Sequence, residues 1–186
     1  MRLRATITAG LVTAAGVACT AAPAALAASP TQFCAIVGAP APGPNAASPV
    51  LGQGCFATKA AESAFVQSTV AAAAPNDAVS PASSIHLGVA WSGFNSTGSR
   101  FDFYGNGGTC NSSYYSFANL HGPFDSHDND LASGANCNNA YWHSGSNFDG
   151  RQWDCYSYFS GQAYQSCGSS MPPGDNGAGH SVRFRR

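Results

Sequence analysis

The second half of the chain is a succession of short apolar runs with polar and glycine-rich breaks. Aromatic or β-branched runs lie at 85–91, 101–104, 141–142, 152–159 and 181–184, separated by Gly, Asn and Ser clusters. In the fourth run Trp153 and Cys155 alternate with Gln152 and Asp154. Runs of this length and spacing predict strands joined by tight loops, hence a sandwich or barrel rather than βαβ units. The first half reads differently. Phe33 to Val37 is an apolar run of strand length, 38–48 carries Pro40, Pro42 and Pro44 and reads as loop, and 49–56 is a second strand. Over 59–73 the apolar spacing becomes helical, with Ala61, Phe65 and Val66 on roughly one face. Thr58 stands as N-cap, with Glu62 in the first turn. Residues 76–84, around Pro81, read as a linker.

One stretch organises the rest. Tyr141 to Cys155 opens with Tyr141 and Trp142, passes through Ser144-Gly145-Ser146-Asn147, and reaches Phe148 and Gly150 before Trp153. It predicts a strand, a folded hairpin and a second strand. A weaker copy lies 52 positions earlier, with Gly98, Phe101 and Asp102 matching Gly150, Trp153 and Asp154. A repeated hairpin predicts two similar four-stranded Greek keys packed face to face.

The 186 residues suit one domain with an appendage. Residues 1–27 read as a cleaved secretory signal. Arg2 and Arg4 precede an apolar run at 7–17, and Ala25-Leu26-Ala27 fits a small-x-small cleavage site. Residues 28–83 then form a disulfide-closed strand and helix segment with its linker, and 84–186 the β domain. Cleavage takes 8 basic residues to 6 against 9 acidic ones, a net charge of −3. No basic stretch precedes Arg183, so nucleic acid is not an expected partner. After cleavage the expected product is a secreted monomer with no membrane span.

Cys19 leaves with the signal. Six cysteines remain, and an even number outside the cytosol predicts three disulfides. Fifteen connectivities are open. Neighbours held close by hairpins favour Cys34–Cys55, Cys110–Cys137 and Cys155–Cys167. The absence of a C-x-x-C pair argues against structural zinc.

An acidic-amide loop ending in serine follows each hairpin. The first is Asp128-Asn129-Asp130 with Ser133 and Gly134, and the second is Asp175-Asn176 with His180 and Ser181. With the aromatic-loop-Phe-x-Gly hairpin at 141–150, these loops make 85–186 resemble a βγ-crystallin-like Greek-key domain of secreted actinobacterial proteins. The resemblance implies a mainly β, two-motif Greek-key β-sandwich. It also implies calcium, held between the loop of one Greek key and the hairpin of the other. Calcium takes six to eight hard oxygens, which Asp, Asn, Ser and backbone carbonyls supply. Carried over residue by residue, Asp130 and Ser133 are side-chain ligands and Asn129 contributes through side chain or carbonyl. The partner oxygens come from Ser146 and Asn147. The second loop would use Asn176 and Ser181, but Gly177 stands at the second acid position and His180 at the first serine position. Gly134 likewise replaces the last serine of the first loop.

Other readings compete. An Asn-Asp-x-x-Ser turn also caps its own backbone without any metal. His121, Asp125, His127 and Asp128 lie close enough in sequence to ligate a transition metal. Asp102 and Asp154 are a matched carboxylate pair, which repeat symmetry explains as equivalent strand residues. No nucleophile and base can be paired, so a non-enzymatic protein is expected. A disulfide-held loop at 156–165 or 111–124 would suit inhibition of a secreted metalloprotease. Tyr and Trp among Asn and Ser would suit a glycan.

Overall fold

A computed structural model describes residues 31–74, 83–93, 97–110, 113–120, 131–134, 137, 139–156, 164–166 and 180–185. The fold is mainly β, with one α-helix among the described residues. The N-terminal segment gives β1 (Phe33–Gly38), β2 (Val50–Phe56) and α1 (Lys59–Ala72). The repeated part gives β3 (Ser84–Gly93), β4 (Thr97–Asn106), β5 (Tyr115–Phe117) and β6 (Leu131–Gly134). It continues with β7 (Asn139–His143), β8 (Gln152–Tyr156), β9 (Tyr164–Ser166) and β10 (Ser181–Arg185).

These strands form a six-stranded sheet, β2-β1-β4-β3-β6-β9, and a four-stranded sheet, β5-β10-β7-β8. Each half of the repeat therefore sends its third strand to the other sheet. β5 pairs with β10, and β9 pairs with β6.

Alternation along the strands divides the interior into two layers. In β4, Phe101 and Phe103 face the second sheet, where Tyr115, Phe117, Trp142, Val182 and Phe184 meet them. The Phe103 ring lies 5.5 Å from Phe117, 5.4 Å from Trp142 and 5.5 Å from Phe184. Gly105 makes room for the Tyr115 ring: a Cβ there would lie 2.5 Å from Tyr115 Cζ. Burial pushes the Tyr115 phenol up to about 12, and its hydroxyl donates to the Gly107 carbonyl. Its neighbour Tyr114 is 41% exposed.

The other face of the six-stranded sheet is covered by α1. Ala35 and Val37 of β1 pack there against Val66 and Val70, with Leu51, Phe65 and Tyr104 at the margin. Thr58 caps the helix as its position predicts, accepting from Ala61 N at 3.2 Å. The buried stripe differs from the expected one. It runs through Glu62, Val66 and Val70, while Ala61 is exposed. The physical reason is the buried charge network beneath Glu62, described below.

β1 pairs with β2 in antiparallel register and with β4 in parallel. The N-terminal hairpin and the repeated part thus share one sheet. Cys34 and Cys55 face each other across β1 and β2 and are bonded, as are Cys110 and Cys137. The expected Cys155–Cys167 pair lies outside the residues whose side chains are described. The two described disulfides suit an oxidising compartment. Among the described residues no helix is long and apolar enough to cross a membrane.

Candidate functional site

The hairpin between β7 and β8 is closed by its own backbone and by three side chains. Ser144 N donates to Arg151 O at 2.9 Å, and the Ser144 hydroxyl accepts from Arg151 N at 2.8 Å. Ser146–Phe148 forms a 3-10 turn in which Asn147 (φ 57°) and Phe148 (φ 64°) are left-handed. Asn147 tolerates that region better than most residues, whereas Phe148 is held in it by packing. Its ring lies edge-on to His143 at 5.9 Å, with the Arg183 guanidinium 4.1 Å from its centroid. The Ser181 hydroxyl locks the turn, donating to Gly145 O at 2.6 Å and accepting from Phe148 N at 3.1 Å.

The sequence repeat is preserved in space. Gly98 and Gly150 both have φ 78°. Ser92 accepts from Ser99 N at 2.8 Å, just as Ser144 accepts from Arg151 N at 2.8 Å. Trp91 is opposite Arg100, as His143 is opposite Gln152. Each pair is offset by the same 52 positions. Gly150 has no room for a side chain, since a Cβ would sit 2.4 Å from Ser144 Oγ. Gly150→Ala is therefore expected to cost about 1–3 kcal/mol, read by urea unfolding.

The expected calcium ligands are only partly in view. Asn129, Asp130 and Asn176 lie outside the described residues, as do His121, Asp125, His127 and Asp128. Ser133 is placed by its backbone, in β6 opposite Gly88 and Gln165. Ser146 and Asn147 are exposed at the hairpin tip. Asn147 N donates to Ala118 O at 2.6 Å, and the Asn119 side chain donates to Asn147 Oδ1 at 3.4 Å. The tip thus touches the segment leading into 121–130. Ser181 sits against the hairpin of its own half, with both hydroxyl functions engaged there. Among the described residues no three His, Cys, Asp or Glu side chains gather as a metal site.

A second cluster was not expected as a cluster. Asp102 lies on β4 with its side chain 0% exposed, on the face under α1. Arg100, on the same face of the same strand, donates Nε to Oδ2 at 2.7 Å and Nη2 to Oδ1 at 2.8 Å. His86 Nε2 lies 2.6 Å from Oδ1. A register shift in β3 between His86 and Gly88 sets His86 opposite Tyr104, on the Asp102 face. From α1, Lys59 Nζ donates to Asp102 Oδ2 at 3.0 Å and to the Tyr104 hydroxyl at 3.2 Å. Lys59 also pairs with Glu62 at 2.5 Å, and the Tyr104 hydroxyl donates to Glu62 Oε1 at 3.0 Å.

Burial alone would raise the Asp102 carboxyl. The hydrogen bonds and charges of His86 and Arg100 outweigh it and hold the group well below the usual carboxylate range. The network is a polar clasp between helix and sheet. Asp154, its counterpart in the repeat, is exposed and accepts from Gln152 at 2.6 Å. The two aspartates thus share a strand position and differ in cover: a helix lies over one and, among the described residues, none over the other. The available sequence signal was Arg100, Asp102 and Tyr104 at alternate positions of one strand in a chain only 9% charged.

No family model, curated protein or solved structure matches this chain.

Proposed function

We propose that the chain is an exported, non-enzymatic protein of the βγ-crystallin type that binds calcium between its first acidic loop and its second hairpin. The observation that carries this reading is the exchange of third strands between two sheets, each half keeping a hairpin with the same glycine and serine bonds. That arrangement supports a pair of Greek keys related by the 52-residue repeat. In such a pair, the loop of one half and the hairpin of the other supply oxygens to one ion. Asn129, Asp130 and Ser133 are the loop ligands, and the Ser146-Asn147 bend is the partner. The bond from Asn147 N to Ala118 O supports the pairing, because it ties the hairpin tip to the strand end that precedes the first loop in sequence. Ser181 acts as the hairpin lock, which leaves calcium to the first loop. Export rests on the signal-like residues 1–27 and agrees with the two disulfides.

The test is calorimetric titration of the mature protein with calcium. Binding is expected near the 10⁻⁴–10⁻³ M range of extracellular modules, that is, about 0.1–1 mM. Asp130→Ala should weaken it at least tenfold. At a hundredfold excess over Kd, calcium should add about 2.7 kcal/mol of stability. A wild-type protein that gives no heat and no stabilisation refutes the reading.

A further inference from the structure

Four strands bound the two sheets, and three of their edges are guarded. β5 is covered by the 41–48 loop: Ala41 bridges Tyr114, and Ser48 bonds both the N–H and the carbonyl of Ser116. β8 carries the exposed carboxylate of Asp154, and β9 is three residues long. Cover, charge and shortness are the usual defences of a sheet edge. β2 has none of them. Its seven residues contain no charge and no proline, and among the described residues no strand pairs with its outer side. A register shift at Leu51 leaves 52–56 as its regular part.

The pairing with β1 shows which backbone groups face outward. Cys55 lies opposite Cys34 with Cα atoms 3.9 Å apart, the close spacing of a non-hydrogen-bonded pair. Its N–H and carbonyl therefore point away from β1, as do those of Gln53, while Gly54 and Phe56 bond to β1. Beside this edge, on the helix face, runs an apolar groove lined by Leu51, Phe65, Ser68, Thr69 and Ala72.

We propose that the β2 edge is an interface between two copies of this chain, paired antiparallel about a two-fold axis at Gly54. Gln53 of one copy then stands opposite Cys55 of the second, and the two exchange both backbone bonds. The fold itself favours a second copy as the occupant. α1 packs on β1 and β2 together, so the axis sets the two helices two strand spacings apart, about 10 Å. Helices pack at about 8–10 Å, and the groove side of α1 presents the small, exposed Ser68 and Ala72 to such a neighbour. Each helix thus closes the groove of the other. The helices run antiparallel, which aligns their dipoles favourably. Charge does not oppose the contact, because Lys59 and Glu62 are the only charged residues in 50–73 and pair with each other. The contact face, a helix length by the depth of sheet plus helix, is about 20 Å by 20 Å. Roughly 400 Å² per copy lies at the low end of specific interfaces, so the dimer dissociates on dilution. A dimer departs from the monomer expected from the sequence.

Sedimentation equilibrium of the mature protein from roughly 10 μM to 1 mM, the range of weak association, should show the mass rising from one chain to two. Gln53→Lys sets two like charges diagonally across the axis and should weaken association at least tenfold. Its thermal unfolding at low concentration should stay that of the wild type. Gln53→Pro, which removes an outward N–H and leaves the β1 ladder intact, carries the same expectation should the lysine variant fail to fold. Amide exchange locates the contact: Gln53 and Cys55 should become protected as concentration rises, whereas Gly54 and Phe56 are protected throughout. A protein that stays monomeric overturns the proposal and leaves the edge to an extended segment of another protein. So does equal association of the folded Gln53 variant, or a dimer in which the Gln53 and Cys55 amides exchange as fast as in the monomer.

Discussion

Replacing Asp102 by alanine is expected to destabilise the protein by about 3–5 kcal/mol in urea unfolding at neutral pH. The magnitude does not come from the net strength of the ion pairs. Desolvation offsets much of the Coulomb attraction between buried partners, so an intact network contributes modestly. The large cost arises when the carboxylate is removed and its partners remain. Arg100, His86 and Lys59 all converge on one carboxyl group, and α1 lies above it. With the acceptor gone, three donors still converge on the one fully buried point of the network, where each loses its hydrogen-bond partner and the cations face one another. A loss within about 0.5 kcal/mol, the range of ordinary surface substitutions, would contradict the clasp.

The same carboxyl sets a pH dependence. Its pKa is depressed in the folded state, so the unfolded chain takes up the proton first as pH falls. The contribution is complete above the ordinary carboxylate pKa of about 3.9 and declines as pH drops below it. It vanishes once the folded state is protonated as well. The stability gap between wild type and Asp102→Ala should therefore be constant near neutrality and narrow in acid. A gap that widens in acid would have the wrong sign.

Phe103→Ala is expected to cost about 3–5 kcal/mol, through lost burial and an unfilled cavity. Phe103 is fully buried and is the ring through which the first sheet meets Phe117, Trp142 and Phe184 of the second. Each aromatic pair adds about 0.5–1.5 kcal/mol beyond area alone. Val50→Ala, at a residue 50% exposed on β2, is the control and should change stability by no more than about 0.5 kcal/mol. Urea unfolding followed by near-ultraviolet circular dichroism reads both. Equal effects from the two substitutions would remove Phe103 from the junction between the sheets.

Local chemistry made much of the fold readable. Gly150, Ser144 and Phe148 announce the hairpin because tight turns need particular backbone conformations and caps. Thr58 announces the helix start for the same reason. The non-local parts were silent. β1 lies parallel to β4, and that pairing depends on contacts distant in sequence. β5, β6 and β9 are three or four residues long, too short to show alternation. An apolar stripe predicts Ala61 on the buried face of the helix, but Ala61 is exposed. Glu62 is buried instead, where Lys59 pairs with its charge and the Tyr104 hydroxyl donates to Oε1. Asp102 and Asp154 matched in sequence, yet only tertiary cover separates a buried clasp from an exposed strand residue.

The proposed pairing of loop and hairpin is tested most directly by backbone NMR of the mature protein during calcium addition. The amides of 129–133 and those of Ser146 and Asn147 should shift together, saturating at one ion per chain, while Lys59 to Glu62 stay fixed. In Asp130→Ala both sets should stop responding. Shifts confined to 129–133, with the hairpin unmoved, or no shifts at millimolar calcium, would contradict the shared site.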